Sequence, residues 1–68
     1  MSIDYQTLRT VEINDMWGIE FKTSSGETMR YTTQKPTSQV SDTCMAEILN
    51  SIEHGFPVEN IRELTRVS

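Results

Sequence analysis

Few side chains in this sequence could do chemistry, and their spacing is unhelpful to it. There is one histidine, His54, and one cysteine, Cys44. Histidine titrates near neutrality and serves as a general base when a positioned partner orients it. No serine or cysteine with the context of a nucleophile can be tied to His54. Its place at the end of an apolar-periodic run instead suits a cation beside a helix C-terminus. Cys44 stands near the start of the same run, where a thiolate would be stabilised. It also completes the apolar stripe there, and a buried cysteine behaves as a small hydrophobe. The ten carboxylates are scattered, with no D-x-D or E-x-x-H spacing to gather ligands around a metal. Gly18, Gly26 and Gly55 are isolated, so no phosphate-cradling loop is expected. The expectation is a non-enzymatic protein with no catalytic residue, no metal and no cofactor.

The strongest periodic signal lies between Pro36 and Pro57. Cys44, Met45, Ile48, Leu49 and Ile52 follow the i, i+3, i+4, i+7 spacing of one helical stripe, while Thr43, Glu47, Asn50 and His54 fall opposite. Ser38 or Ser41 can accept an orphan backbone N–H at the start, and Asp42 places negative charge where the helix dipole favours it. Gly55 suits a left-handed residue just past the end, Phe56 can fold back on the last turn, and Pro57 stops the helix.

A hairpin precedes it. Trp17, Ile19 and Phe21 alternate with Gly18, Glu20 and Lys22, and Ser24-Ser25-Gly26 supplies a three-residue loop. Closing the loop with Thr23 opposite Glu27 sets Phe21 against Met29, Ile19 against Tyr31 and Trp17 against Thr33. The same register sets Glu20 against Arg30 on the other side, an opposite-charge pair that favours it. Aromatics beside cations on a sheet are also how several folds stack single-stranded nucleic acid. Here Trp17, Phe21 and Tyr31 share one face and Lys22 and Arg30 the other. The helix stripe is the natural cover for those aromatics, which makes them core.

Around these two elements the pattern is weaker. After a loose terminus over residues 1–4, Tyr5–Ile13 mixes β-branched and aromatic residues with polar ones and ends at the turn signal Asn14-Asp15. Leu8 falls on the opposite face from Tyr5, Val11 and Ile13, which points to a bulge or an edge strand. Thr32–Thr37 reads as a polar linker. The tail after Pro57 fits a strand from about Asn60 to Val67. It also fits a helix with Pro57 at its first position and Val58, Ile61 and Leu64 or Thr65 on one stripe, but Phe56 is a poor cap for one. The sum is one α+β domain: a small antiparallel sheet of three to four strands, one helix packed on one face, and β-β-β-α-β order.

Sixty-eight residues bury a marginal core, so oligomerisation or docking on a partner is an expected source of further stability. A formal net charge of −4 disfavours an electrostatic grip on nucleic acid or an anionic membrane. The single thiol fits a reducing compartment, and no apolar run resembles a signal peptide or reaches membrane-spanning length, so a cytoplasmic location is expected. In size, charge and strand–helix–strand order the chain resembles the short acidic proteins of phages and mobile elements that bind and inhibit a host protein. That likeness of general form implies an inhibitor or regulatory subunit that occupies a surface on a protein partner. The candidate contact residues are the charged and polar positions of the two terminal strands: Arg9, Glu12, Arg62, Glu63, Thr65 and Arg66. A second copy of the chain could use the same open edges to form a homodimer. The alternative is a nucleic-acid-binding module using the Trp17–Tyr31 hairpin.

Overall fold

The computed structural model describes residues 2–67. Among them, β1 (Ile3–Ile13), β2 (Met16–Thr23) and β3 (Thr28–Pro36) form an antiparallel meander. Helix α1 (Asp42–Glu53) follows, and a two-residue strand, β4 (Thr65–Arg66), returns to pair with β3. The sheet order β1-β2-β3-β4 leaves β1 and β4 as its edges. This is the expected α+β arrangement, with the sheet four strands wide.

The central hairpin takes the register its two patterns demanded. Phe21 pairs with Met29, Ile19 with Tyr31 and Glu20 with Arg30, and the Thr23 N–H donates to the Glu27 carbonyl at 2.8 Å. Gly26 has φ +86°, the conformation that favoured glycine there. The other hairpin turn is the Asn14-Asp15 pair, with φ of +51° and +66°. Two left-handed residues make the type I′ geometry that matches strand twist.

Helix α1 is bounded by local chemistry. Ser41 caps it, its hydroxyl oxygen accepting the Cys44 N–H at 3.1 Å, and Asp42 lies in the first turn. At the other end Gly55 has φ +89°; its N–H donates to Ile52 and that of Phe56 to Ser51. That pair of bonds is a Schellman ending, and it satisfies carbonyls the helix cannot. The apolar stripe packs as expected, with Ile48 and Ile52 buried and Cys44, Met45 and Leu49 at the margin. Facing it from the sheet are Trp17, Ile19, Phe21, Met29 and Tyr31, all buried.

Four local expectations need correction. β1 begins at Ile3, because the sheet register continues through Asp4–Lys22 and Ile3–Thr23 and the Ser24 N–H donates to the Ser2 carbonyl; Met1 lies outside the described residues. Thr32–Thr37 is not a linker, since β3 runs on to Pro36. Trp17 does not pair with Thr33: β3 advances four residues from Thr32 to Pro36 while β2 advances two from Gly18 to Met16. In that bulge the Thr32 and Thr33 hydroxyls both donate to the Trp17 carbonyl at 3.1 Å, and Gln34 adopts φ +60°. The tail, finally, is strand only at Thr65–Arg66. Its Ile61 N–H donates to Val58 and its Leu64 N–H to Ile61, so successive tight turns repeat every three residues. Val58, Ile61 and Leu64 are therefore all buried, which the strand alternation did not allow.

Candidate interaction surfaces

The expected contact residues divide between opposite edges of the sheet. Arg9 and Glu12 belong to β1, Thr65 and Arg66 to β4, and Arg62 and Glu63 to the turn before β4. They do not form one surface. Arg62, Glu63 and Thr65 do come together, with Lys35, Ser41 and Cys44, around a cleft of about 440 Å³ at the start of α1.

Backbone phase decides which residues of each edge face outward. In an antiparallel ladder, residues alternate between bonding a neighbour on one side and on the other. Thr23 bonds Glu27 on β3, so Phe21 and Ile19 also turn their backbone groups toward β3, while Lys22, Glu20 and Gly18 turn theirs toward β1. Val11 and Arg9, opposite Gly18 and Glu20, therefore bond inward. Thr10 and Glu12 turn their N–H and C=O groups away from the sheet. On the far edge the Val67 N–H donates to the Arg30 carbonyl at 2.9 Å, so Thr65, two residues away, also faces inward, toward Thr32. Arg66 is the β4 residue whose backbone points out. The Thr65 backbone is thus a rung of the sheet, and what this exposed residue offers a partner is its side chain.

The upper half of β1 is protected differently. Between Asp4 and Arg9 it advances five residues while β2 advances two, from Lys22 to Glu20. Three extra residues loop out. The loop is tied by Asp4, whose carboxylate accepts the Gln6 N–H and whose carbonyl accepts the Thr7 hydroxyl at 2.7 Å. The Thr7 oxygen in turn accepts the Lys22 N–H at 2.8 Å, replacing the absent strand carbonyl. Such a bulge blunts an edge against indiscriminate pairing.

The face of the sheet turned away from α1 carries a charge row. Glu20 accepts from Arg30 Nε at 2.7 Å and from Arg9 Nε at 2.9 Å. The hydrogen bond from Arg30, then that from Arg9, holds the Glu20 carboxyl below its ordinary range against a smaller opposing effect of burial. The sequence paired Glu20 with Arg30 but missed Arg9, because the bulge hides the register of β1.

His54 is built into the helix end. Its ring Nδ1 lies 2.7 Å from the Asn50 carbonyl and must donate to it, a bond that ties the imidazole to the last turn. The hairpin aromatics are core: Trp17, Phe21 and Tyr31 are each 5 % exposed or less. Among the described residues no three His, Cys, Asp or Glu side chains lie together as metal ligands would, and no helix is long and apolar enough to cross a membrane.

One feature escaped the sequence. Tyr5 and Phe56, about half exposed, flank a groove of about 570 Å³ between the start of β1 and the loop after α1. Phe21 and Tyr31 form its floor, their rings stacked with centroids 6.0 Å apart and 11° between planes. Phe56 was expected on the last turn of α1, and nothing in its neighbourhood distinguished a packed ring from a half-open one. Compared with known proteins, the chain matches no family model, no curated protein and no solved structure.

Proposed function

We propose that this chain is a non-enzymatic protein-binding module, an inhibitor or regulatory subunit that acts by occupying a surface on a protein partner. The observation that carries the reading is the open edge of β1, where the backbones of Thr10 and Glu12 face outward beside the charges of Arg9 and Glu12. An extended segment of a partner, or of a second copy in a homodimer, adds to such an edge through main-chain hydrogen bonds. The charges select among candidates by complementarity. The nucleic-acid reading has lost its stacking platform, because the hairpin rings are buried under α1. Arg9, Lys22 and Arg30 could still contact phosphates, and salt-dependent retention on a nucleic-acid column would reveal it.

The edge is tested by Thr10→Pro. The Thr10 N–H makes no bond to β2, so proline there removes an outward donor and spares the sheet. Circular dichroism should stay native while partner binding, or dimerisation, falls by tenfold or more, on the order of one lost main-chain contact and its neighbours. Unchanged association in a folded Thr10→Pro protein would discard the β1 edge as the working surface.

A further inference from the structure

The groove between Tyr5 and Phe56 has a chemistry of its own. Among the described residues these two are the large hydrophobic side chains left exposed, at 48 % and 49 %, and they line the same groove. The groove is not purely apolar. Glu59 is the one ionised side chain in its lining. The Tyr31 hydroxyl meets no hydrogen-bonding partner among the described residues, yet no buried side-chain oxygen is left unpartnered. Tyr31, 5 % exposed, lines the groove. Burial, then the nearby charge of Glu59, pushes the Tyr31 hydroxyl above its ordinary pKa. Arg66, across the strand pair, acts on Tyr31 in the opposite sense but does not line the groove.

These features choose an occupant. An apolar side chain would cover the rings but strip water from the Glu59 carboxylate without replacing it. An anion would meet Glu59 and a chain of net charge −4. A cation is attracted by the ring faces and can bond the carboxylate. Arginine suits both tasks, since its planar fork stacks on aromatics and donates to carboxylates. A basic polypeptide is a better source of it than a second copy, because its charge complements the net −4 of this chain. We propose that this groove receives an arginine side chain of a basic partner polypeptide, with its guanidinium between Tyr5 and Phe56 and Glu59 as counter-ion. The proposal rests on the protein-binding reading and adds the chemistry of the partner. It does not involve the outward backbone of Thr10.

The test is a titration of the full chain with an N-acetylated, C-amidated Gly-Arg-Gly peptide, observed through the ring signals of Tyr5, Tyr31 and Phe56 by NMR. The control peptide carries citrulline, which has arginine's shape without its charge. The arginine peptide should produce saturable shifts with a Kd in about the millimolar range. Citrulline should bind about tenfold more weakly, and Phe56→Ala or Glu59→Gln should each weaken the arginine peptide about 2–5-fold. Both positions are exposed, and an unshifted Trp17 indole signal reports that each variant is folded. Equal binding of the two peptides, no saturable shift at these rings, or binding unaffected by both substitutions would overturn the proposal. So would ring shifts that change on dilution of the protein alone, which would make a second copy the occupant. Loss of partner binding in Thr10→Pro with no arginine response would sink the groove and leave the edge standing.

Discussion

The two faces of β2 are held by different physics, although they belong to the same eight residues. Toward α1 the strand presents Trp17, Ile19 and Phe21, which are 4 % exposed or less and touch side chains from β3, α1 and the tail. That face is held by exclusion of water and by shape, neither of which responds much to pH or salt. Away from α1 it presents Glu20 and Lys22, beside Gly18. Glu20 is fixed by two guanidinium groups that are themselves more than half exposed. Directional bonds of this kind set alignment and contribute little net stability. One face keeps the domain folded, and the other keeps its strands in step.

The comparison can be broken at the apolar face first. Phe21→Ala should cost about 3–5 kcal/mol, read as a shift in the denaturant midpoint. For a chain of this length, at about 0.05–0.15 kcal/mol per residue, that is at least about a third of the whole stability. A loss under about 1 kcal/mol would mean α1 does not seal the face. The next largest effect should come from Gly18→Ala. A Cβ there would stand 2.3 Å from the Tyr31 carbonyl oxygen, which is backbone and cannot swing aside. The strands must part, at about 1–3 kcal/mol; an unchanged midpoint would show that β2 and β3 are less closely seated than described.

Smaller effects sharpen the other side. Thr7→Val keeps shape but removes the oxygen that accepts the Lys22 N–H, at a cost of about 0.5–1.5 kcal/mol. Amide exchange at Lys22 should accelerate with it, and protection equal to the parent would rule out Thr7 as the substitute rung. Smallest at neutral pH is Glu20→Gln, whose signature is its pH profile. The Glu20 carboxyl titrates lower in the folded chain than unfolded, so its contribution is present above the ordinary carboxylate range. It is lost as pH falls through the depressed folded value. Stability of the parent should thus decline over that acidic interval more steeply than that of Glu20→Gln, while Phe21→Ala should run parallel to the parent. Parallel curves for parent and Glu20→Gln would show that the two arginines do not bind the carboxylate in solution.

The same division explains what the sequence disclosed. The hairpin was legible because apolar alternation and the Glu20–Arg30 pair independently required one register. The helix was legible at both ends because Ser41 and Gly55 act within a few residues of themselves. The bulge in β1 was only partly legible: misplaced Leu8 signalled an irregularity, but the bonds that build it run from Asp4 to Thr7 and from Lys22 to Thr7. Nothing in those residue types separates that use from ordinary surface polarity. The β3 bulge was silent for the same reason, since its threonines bond the Trp17 carbonyl from another strand. The tail misled because three-residue turns share positions with both strand and helix periodicities. The aromatic groove was invisible because Tyr5 and Phe56 lie at opposite ends of the chain, and their convergence depends on the β1 bulge that carries Tyr5.

The brevity of β4 has a kinetic consequence. β1, β2 and β3 join through short turns and can assemble from neighbouring residues, whereas β4 must return to β3 across the entire helix and its flanking turns. Loop closure of that length is costly until the partner residues are in place, so β4 docks last. Two residues then hold it, which makes it the first unit to open in the native state. The Val67 amide should therefore exchange with solvent well before those of Ile19 and Phe21, through an excursion that leaves the hairpin and α1 intact. During each excursion the backbones of Arg30 and Thr32 are bare, and β3 briefly replaces β4 as the second edge of the sheet.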